Sequence, residues 1–190
     1  MVRTKEFDED TVLLKGMRLF WEQGYEKTSM QELVSHMGIH KGSMYDTFGD
    51  KQSLYIRALK RYSEMLKQSV QRRIADLTAK QAIRMLFERA LHPDEDSPRG
   101  CFIVNTAVEL AGHDSEAREC VHRFWNYTEL LLRDLVAEGQ QSGEIPSKLS
   151  AEQLAQFLNN ALIGLRVMVK TIKNRDKLHQ IIEMNMSMLE

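Results

Sequence analysis

Residues 28–51, TSMQELVSHMGIHKGSMYDTFGDK, carry the reading that decides the fold. They read as two short helices joined by a tight turn, a shape that can set a helix into the major groove of DNA. Thr28 is placed to cap the first helix, and Gln31 stands three residues on, where a capping box closes. Met30, Leu33, Val34 and Met37 recur at helical spacing on one face. Gly38 follows directly, as expected where a chain leaves a helix in a left-handed conformation. A second short helix is predicted over about 41–47, Phe48 closes the unit, and Asp50 offers a cap for a helix beginning at Lys51.

Helical periodicity extends in both directions, and strand signals are nearly absent. A first helix is expected over about 8–23, burying Val12, Leu13, Met17 and Phe20. A fourth is expected over about 51–74, with Leu54, Ala58, Leu59, Tyr62, Met65 and Leu66 on one side. A fifth covers about 78–91, the segment HPDEDSPR at 92–99 reads as a loop, and a sixth covers about 100–111. Asp114 caps a long seventh helix to about 141. Ser150, with Gln153, caps an eighth, and a ninth spans about 176–189. The fold class is therefore all-α with about nine helices. Residues 1–50 form a helix-turn-helix unit, and residues 51–190 form a second helical domain.

The residues Leu19-Phe20, Gly24-Tyr25, Thr28-Ser29-Met30, Gly38-Ile39, Gly42-Ser43-Met44-Tyr45, Phe48 and Lys51 resemble the DNA-binding domain of TetR-family transcriptional regulators. Two positions depart from that pattern. Gly16 stands where the family often has Ala, at a helix-propensity cost of about 1 kcal/mol. His40 stands where a small hydroxyl cap is common. The resemblance implies a homodimeric regulator whose last two helices pair across a two-fold axis, and a repressor that a small-molecule effector releases from its operator; a cytoplasmic location is expected instead from the charged N-terminus MVRTKEFDED, which lacks an apolar signal core, and from two cysteines at unrelated spacing.

Composition is compatible with this. The chain has 190 residues, 43% hydrophobic and 28% charged, enough for a sizeable core, and no apolar run long enough for a membrane span. The formal net charge of −1 argues against DNA only if charge is averaged over the chain. Local clustering decides, and Lys41 and Lys51 flank the second short helix. Arg3 and Lys5 lie on an N-terminal arm, and Arg57, Lys60 and Arg61 on the fourth helix, where part of the set can be a solvated face.

The expected DNA contacts are Thr28, Ser29, Met30, His40, Lys41, Gly42, Ser43, Tyr45, Thr47 and Lys51, on double-stranded operator DNA. By resemblance, Tyr45 and Lys51 reach phosphates. Thr28 can equally serve as a cap alone, and Tyr45 as a packing residue. Candidate effector-pocket residues are Met65, Met85, Phe87, Cys101, Phe102, Asn105, Trp125 and Phe157, though Met and aromatic residues at helical spacing also describe plain core. Cys101, after Arg99 and at a helix start, suits an oxidising or electrophilic effector. The ordinary reading of such a residue, a small buried hydrophobe, outweighs that one. Phe157, Ala161, Gly164, Leu165, Met168, Ile181 and Met184 are the expected dimer face.

No metal or cofactor is expected. Cys101, His113, Cys120 and His122 have no ligand spacing, and Cys120 and His122 do not share a helix face. No nucleophile–base pattern, phosphate-binding glycine loop or metalloprotease motif supports an enzyme. An adaptor that keeps the DNA-binding fold but answers to a protein partner remains an alternative, as does an enzyme in the helical second domain.

Overall fold

A computed structural model describes residues 7–91 and 97–190. The expected N-terminal arm at Arg3 and Lys5, and most of the 92–99 loop, lie outside the described residues. Among those described there are nine α-helices and no strand: α1 (Glu9–Gln23), α2 (Met30–Met37), α3 (Lys41–Phe48), α4 (Lys51–Ile74), α5 (Ala79–Leu91), α6 (Phe102–Glu109), α7 (Ser115–Ser142), α8 (Ala151–Met168) and α9 (Arg175–Met186), the last followed by a 3-10 turn at Ser187–Leu189. No helix among the described residues is long and apolar enough to cross a membrane.

Local chemistry sets most helix starts. Asp8 accepts from the Thr11 amide, Asp50 from that of Ser53 and Asp114 from that of Ala117, at 2.7–2.8 Å. Each satisfies an amide that the first turn leaves unpaired. The Ser150–Gln153 capping box forms as expected. In α2 the register differs from expectation by one residue. Ser29 is the cap and Glu32 closes the box, while Thr28 is wholly buried and donates its hydroxyl to the Gly24 carbonyl at 2.6 Å. Two adjacent hydroxyls, each followed three residues on by Gln or Glu, fit the motif equally. Burial of Thr28 against the preceding turn selects Ser29.

Gly16 also has a physical reason. It is buried in α1 where α2 crosses, and an added Cβ would sit 3.2 Å from the Met37 sulfur. Close approach of the two helices offsets the propensity cost expected of a mid-helix glycine. The ninth helix starts one residue early, capped by Asn174, and ends at Met186.

Apolar side chains gather into two clusters that do not follow chain order. The first joins α1–α3 and the first half of α4 to α6 and the start of α7, through Phe20, Leu33, Met44, Leu54, Tyr55, Tyr62, Phe102 and Val121. The second joins α5, the later part of α7, α8 and α9, through Phe87, Leu132, Leu158, Leu162 and Ile182. The 24 residues of α4 run about 36 Å. Its first half packs in the first cluster, and Val70 near its end lies in the second.

Candidate nucleic-acid interface

Helix α3 is anchored by its inward face. Met44 and Phe48 are fully buried, with the Arg57 guanidinium 4.8 Å above the Phe48 ring. Arg57 donates to the Thr47 carbonyl at 2.6 Å and to Glu9 at 2.6 Å, tying the end of α3 to α1 and α4. The opposite face stays open. His40, Lys41, Gly42, Tyr45 and Asp46 are exposed, and Ser43 and Thr47 are half-buried beside them. Tyr45 is 45% exposed, unlike the packed tyrosines 25, 55 and 62, so the packing alternative weighed for it does not hold in this chain. His40 precedes α3 without a side-chain cap bond, which leaves its ring available to the outer surface.

The other expected contacts divide. Ser29 is exposed and Met30 half-buried at the start of α2. Thr28 is a correction: its side chain is enclosed and its hydroxyl committed, so it positions the turn and presents nothing to a phosphate. The Lys51 ammonium rests 4.2 Å from the centre of the Tyr25 ring. A phosphate can draw it away, since a charge-assisted hydrogen bond exceeds an exposed cation–π contact of about 0.5–1 kcal/mol. The cations expected further along α4 serve the protein itself. Arg61 forms a two-pronged pair with Asp10 at 2.6 and 2.7 Å, holding that carboxyl below its usual range, and Lys60 pairs with Glu116 at 2.9 Å. The basic surface next to α3 is therefore narrower than the sequence implied.

One positioning residue was only faintly visible in the sequence. Glu109, at the end of α6, accepts from the Tyr25 amide at 3.0 Å and the Glu26 amide at 2.9 Å. These amides lie in the turn before α2. Gly24 makes room: its φ is +88°, and a Cβ there would fall 2.9 Å from the Glu109 carboxylate. Nearby, the Tyr55 and Thr106 hydroxyls bond at 2.8 Å, and Gln52 donates to Asp114 at 2.7 Å. The turn before α2 is thus held by α6 and the start of α7. Glu109→Gln is expected to cost about 1–3 kcal/mol, because an amide can accept from one of these N–H groups but must turn its own N–H₂ toward the other. Hydrogen exchange should show faster loss of Tyr25 and Glu26 amide protection with α8 unchanged. Equal protection in both proteins would contradict the clamp.

The expected effector-pocket residues do not meet in one place. Phe102 and Phe87 are wholly buried in different clusters, and Met85 packs against the second. Phe157 is 42% exposed on α8, and Trp125 is half-buried against the first cluster. Asn105 donates to the Trp21 carbonyl at 3.4 Å and accepts from Lys170 at 3.0 Å, an internal bonding role. Cys101 is 3% exposed beside a pocket of only about 60 Å³. Burial, with the neighbouring Cys101, holds the Tyr62 phenol well above its ordinary value, so it stays protonated and donates to the Cys101 sulfur at 3.6 Å. Among the expected pocket residues, only Met65 lines the cleft of about 540 Å³ between α1 and the second half of α4. The physical reason is that helical periodicity marks an inward face without saying which core it enters.

The expected dimer face is also corrected at one position. Leu165 is 1% exposed inside the single chain and cannot meet a second copy. Phe157, Gly164 and Met184 are exposed, and Ala161, Met168 and Ile181 are half-buried. Val167 and Met188 extend the exposed apolar surface at 47% and 42%.

Comparison with known proteins matches two segments of the chain. Residues 12–58 match the family description "Bacterial regulatory proteins, tetR family", and residues 79–184 match "Tetracyclin repressor-like, C-terminal domain". The chain is 33% identical to the uncharacterized HTH-type transcriptional regulator YezE of Bacillus subtilis (strain 168), over 100% of both chains. It is 30% identical to the HTH-type transcriptional repressor ComR of Escherichia coli (strain K12), covering 94% of this chain and 87% of that one. Among solved structures, it is similar to a cysteine-substituted variant of the TetR family transcriptional regulator CifR complexed with a 26 bp double-strand operator DNA. That match has a TM-score of 0.87 and 26% identity, and covers 99% of this chain and 100% of the other.

Proposed function

Because this chain belongs to the TetR family and is a DNA-binding transcriptional regulator, we propose that it acts as a homodimeric repressor released from its operator by a small-molecule effector. Family and relatives are transcriptional regulators, not enzymes. Residues 1–50 read DNA in this proposal, and residues 51–190 sense and dimerise. One observation carries it: Lys41 and Tyr45 stand exposed on a helix whose opposite face is locked into the core. That geometry presents a rigid reader to a groove, and rigidity lowers the ordering cost of binding.

Lys41 and Ser43 are assigned to base edges or phosphates, and Tyr45, Lys51, Ser29 and His40 to the phosphate backbone. Thr47 reaches the same groove from the end of α3, Gly42 lets the backbone approach closely, and Met30 flanks the phosphate side. The exposed parts of α8 and α9 supply the self-pairing surface, so that two α3 helices meet half-sites about 34 Å or more apart. Cys101 is enclosed, and a reactive thiol is ordinarily accessible. Burial therefore supports a non-covalent effector over an oxidising or electrophilic one.

The test is fluorescence anisotropy on the chain's own upstream DNA at physiological salt, with unrelated DNA as competitor. Lys41→Ala and Tyr45→Phe are each expected to weaken specific binding about tenfold, corresponding to loss of one charged or backbone-directed hydrogen bond. Lys41→Ala should also flatten the dependence on salt. Binding that is equal for all DNA and indifferent to both changes would overturn the assignment of α3 as the reader.

A further inference from the structure

Two residues of α3 are unexplained by the fold around them. Asp46 lies midway in sequence between the inward anchors Met44 and Phe48. Successive residues of an α-helix turn by about 100°, so Asp46 projects about 160° from both, straight away from the core. It is exposed, and among the described residues it makes no hydrogen bond or ion pair. Other acids of the same unit have such work. Asp8, Glu32 and Asp50 accept from amides at helix starts, Glu9 holds Arg57 and Asp10 holds Arg61. Asp46 instead sits in the last turn of α3, where the carbonyl end of a helix disfavours a negative charge.

Gly42 is the second. It lies one turn before Asp46 on the same outward stripe. Its φ is not positive, and an added Cβ there would meet nothing within 4 Å. Neither backbone nor packing asks for glycine, which lowers helix propensity. A bare stretch of helix does let an outside surface come close. Close approach is what the short side chain of Asp46 needs to reach a base edge.

We propose that Asp46 determines base specificity: its carboxylate accepts a hydrogen bond from the N4 amino group of one cytosine in each operator half-site. Asp46 acts in this way only if α3 reads DNA as proposed above. An ionised carboxylate accepts hydrogen bonds and donates none. Toward the major groove guanine presents O6 and N7 and thymine presents O4, all of them acceptors that repel it. Adenine presents an amino group with the N7 acceptor beside it, whereas cytosine presents the amino group alone. The phosphates along the groove repel the carboxylate at every site, so a wrong base leaves that repulsion uncompensated. The residue that weakens binding to unrelated DNA therefore sharpens the choice of operator.

A random-sequence duplex library is selected with the full chain and with its Asp46→Asn and Asp46→Ala variants, and the enriched sites are titrated by fluorescence anisotropy at physiological salt. Asp46 is exposed and unbonded, so both variants should keep the thermal midpoint of the parent. The expected result is one cytosine per half-site that the parent requires, with any other base there weakening binding about tenfold or more. Asp46→Ala should lose the preference at that position alone and should bind unrelated DNA at least about threefold more tightly. Asp46→Asn should move the preference toward adenine, whose N6 and N7 match a carboxamide. Exchanging the cytosine for 2-pyrimidinone, which lacks the amino group, should weaken the parent about tenfold more than it weakens Asp46→Ala. Base preferences that are the same in all three proteins, or a gain on Asp46→Ala that is uniform over all DNA, would overturn the role of Asp46 and leave the DNA-reading proposal standing. No enriched site for the parent protein would overturn both.

Discussion

Replacing Phe157 and Met184 together by glutamate is expected to leave a folded protein that no longer pairs and that binds operator DNA at least about a hundredfold more weakly. Both side chains stand outside the two cores, 42% and 71% exposed, so the single chain loses little by their replacement. In a two-fold interface each residue appears twice, so four carboxylates would enter an apolar seam without partners. Two readers joined in one particle gain a factor of about 10²–10⁴ over a single reader, and this gain disappears when they separate. Sedimentation measures the mass, and anisotropy measures the affinity. An unchanged dimer mass would place the interface on another surface. Leu165→Glu is not an equivalent test, because that side chain is enclosed in the single chain and its replacement would unfold it.

Phe102→Ala is expected to lower the unfolding free energy by about 3–5 kcal/mol, in line with removing a fully enclosed aromatic ring. Phe102 is the first residue of α6 and 0% exposed. Its ring meets those of Tyr55 and Tyr62 edge-to-face, with centres 5.1 and 5.7 Å apart. Both tyrosines lie on α4, so the ring cements α6 to α4 where α6 also carries Glu109. Urea unfolding followed by circular dichroism measures the loss, and Phe102→Leu should recover much of it by restoring apolar volume. A loss below about 1 kcal/mol for Phe102→Ala would mean that the site collapses around the cavity and that α6 is held mainly by its polar bonds.

Much of the fold was legible because its signals are short-ranged. Asp50, Asp114 and Ser150 each bond an amide three residues away, and Gly38 takes φ +70° at the end of its own helix. Such contacts are written in consecutive residues. The outward face of α3 was legible for the same reason, since Met44 and Phe48 are four apart and turn inward together. Where two registers satisfied one rule, sequence could not choose. Thr28 with Gln31 and Ser29 with Glu32 both spell a capping box, and only burial of Thr28 under the Gly24 carbonyl separates them.

The sequence by itself determined the all-helical plan, the family and the outward face of α3, because caps, periodicity and turn glycines act within a few residues. Tertiary structure alone decided which inward faces share a core. It sent Phe87 and Phe102 to different clusters, closed Leu165 off from any partner and gathered arginines from α1, α4 and α5 around one cleft. It also placed Glu109 on amides 84 and 83 residues away. The physical reason is that side-chain periodicity specifies a direction relative to one helix axis. Which atoms lie in that direction depends on how the other helices pack.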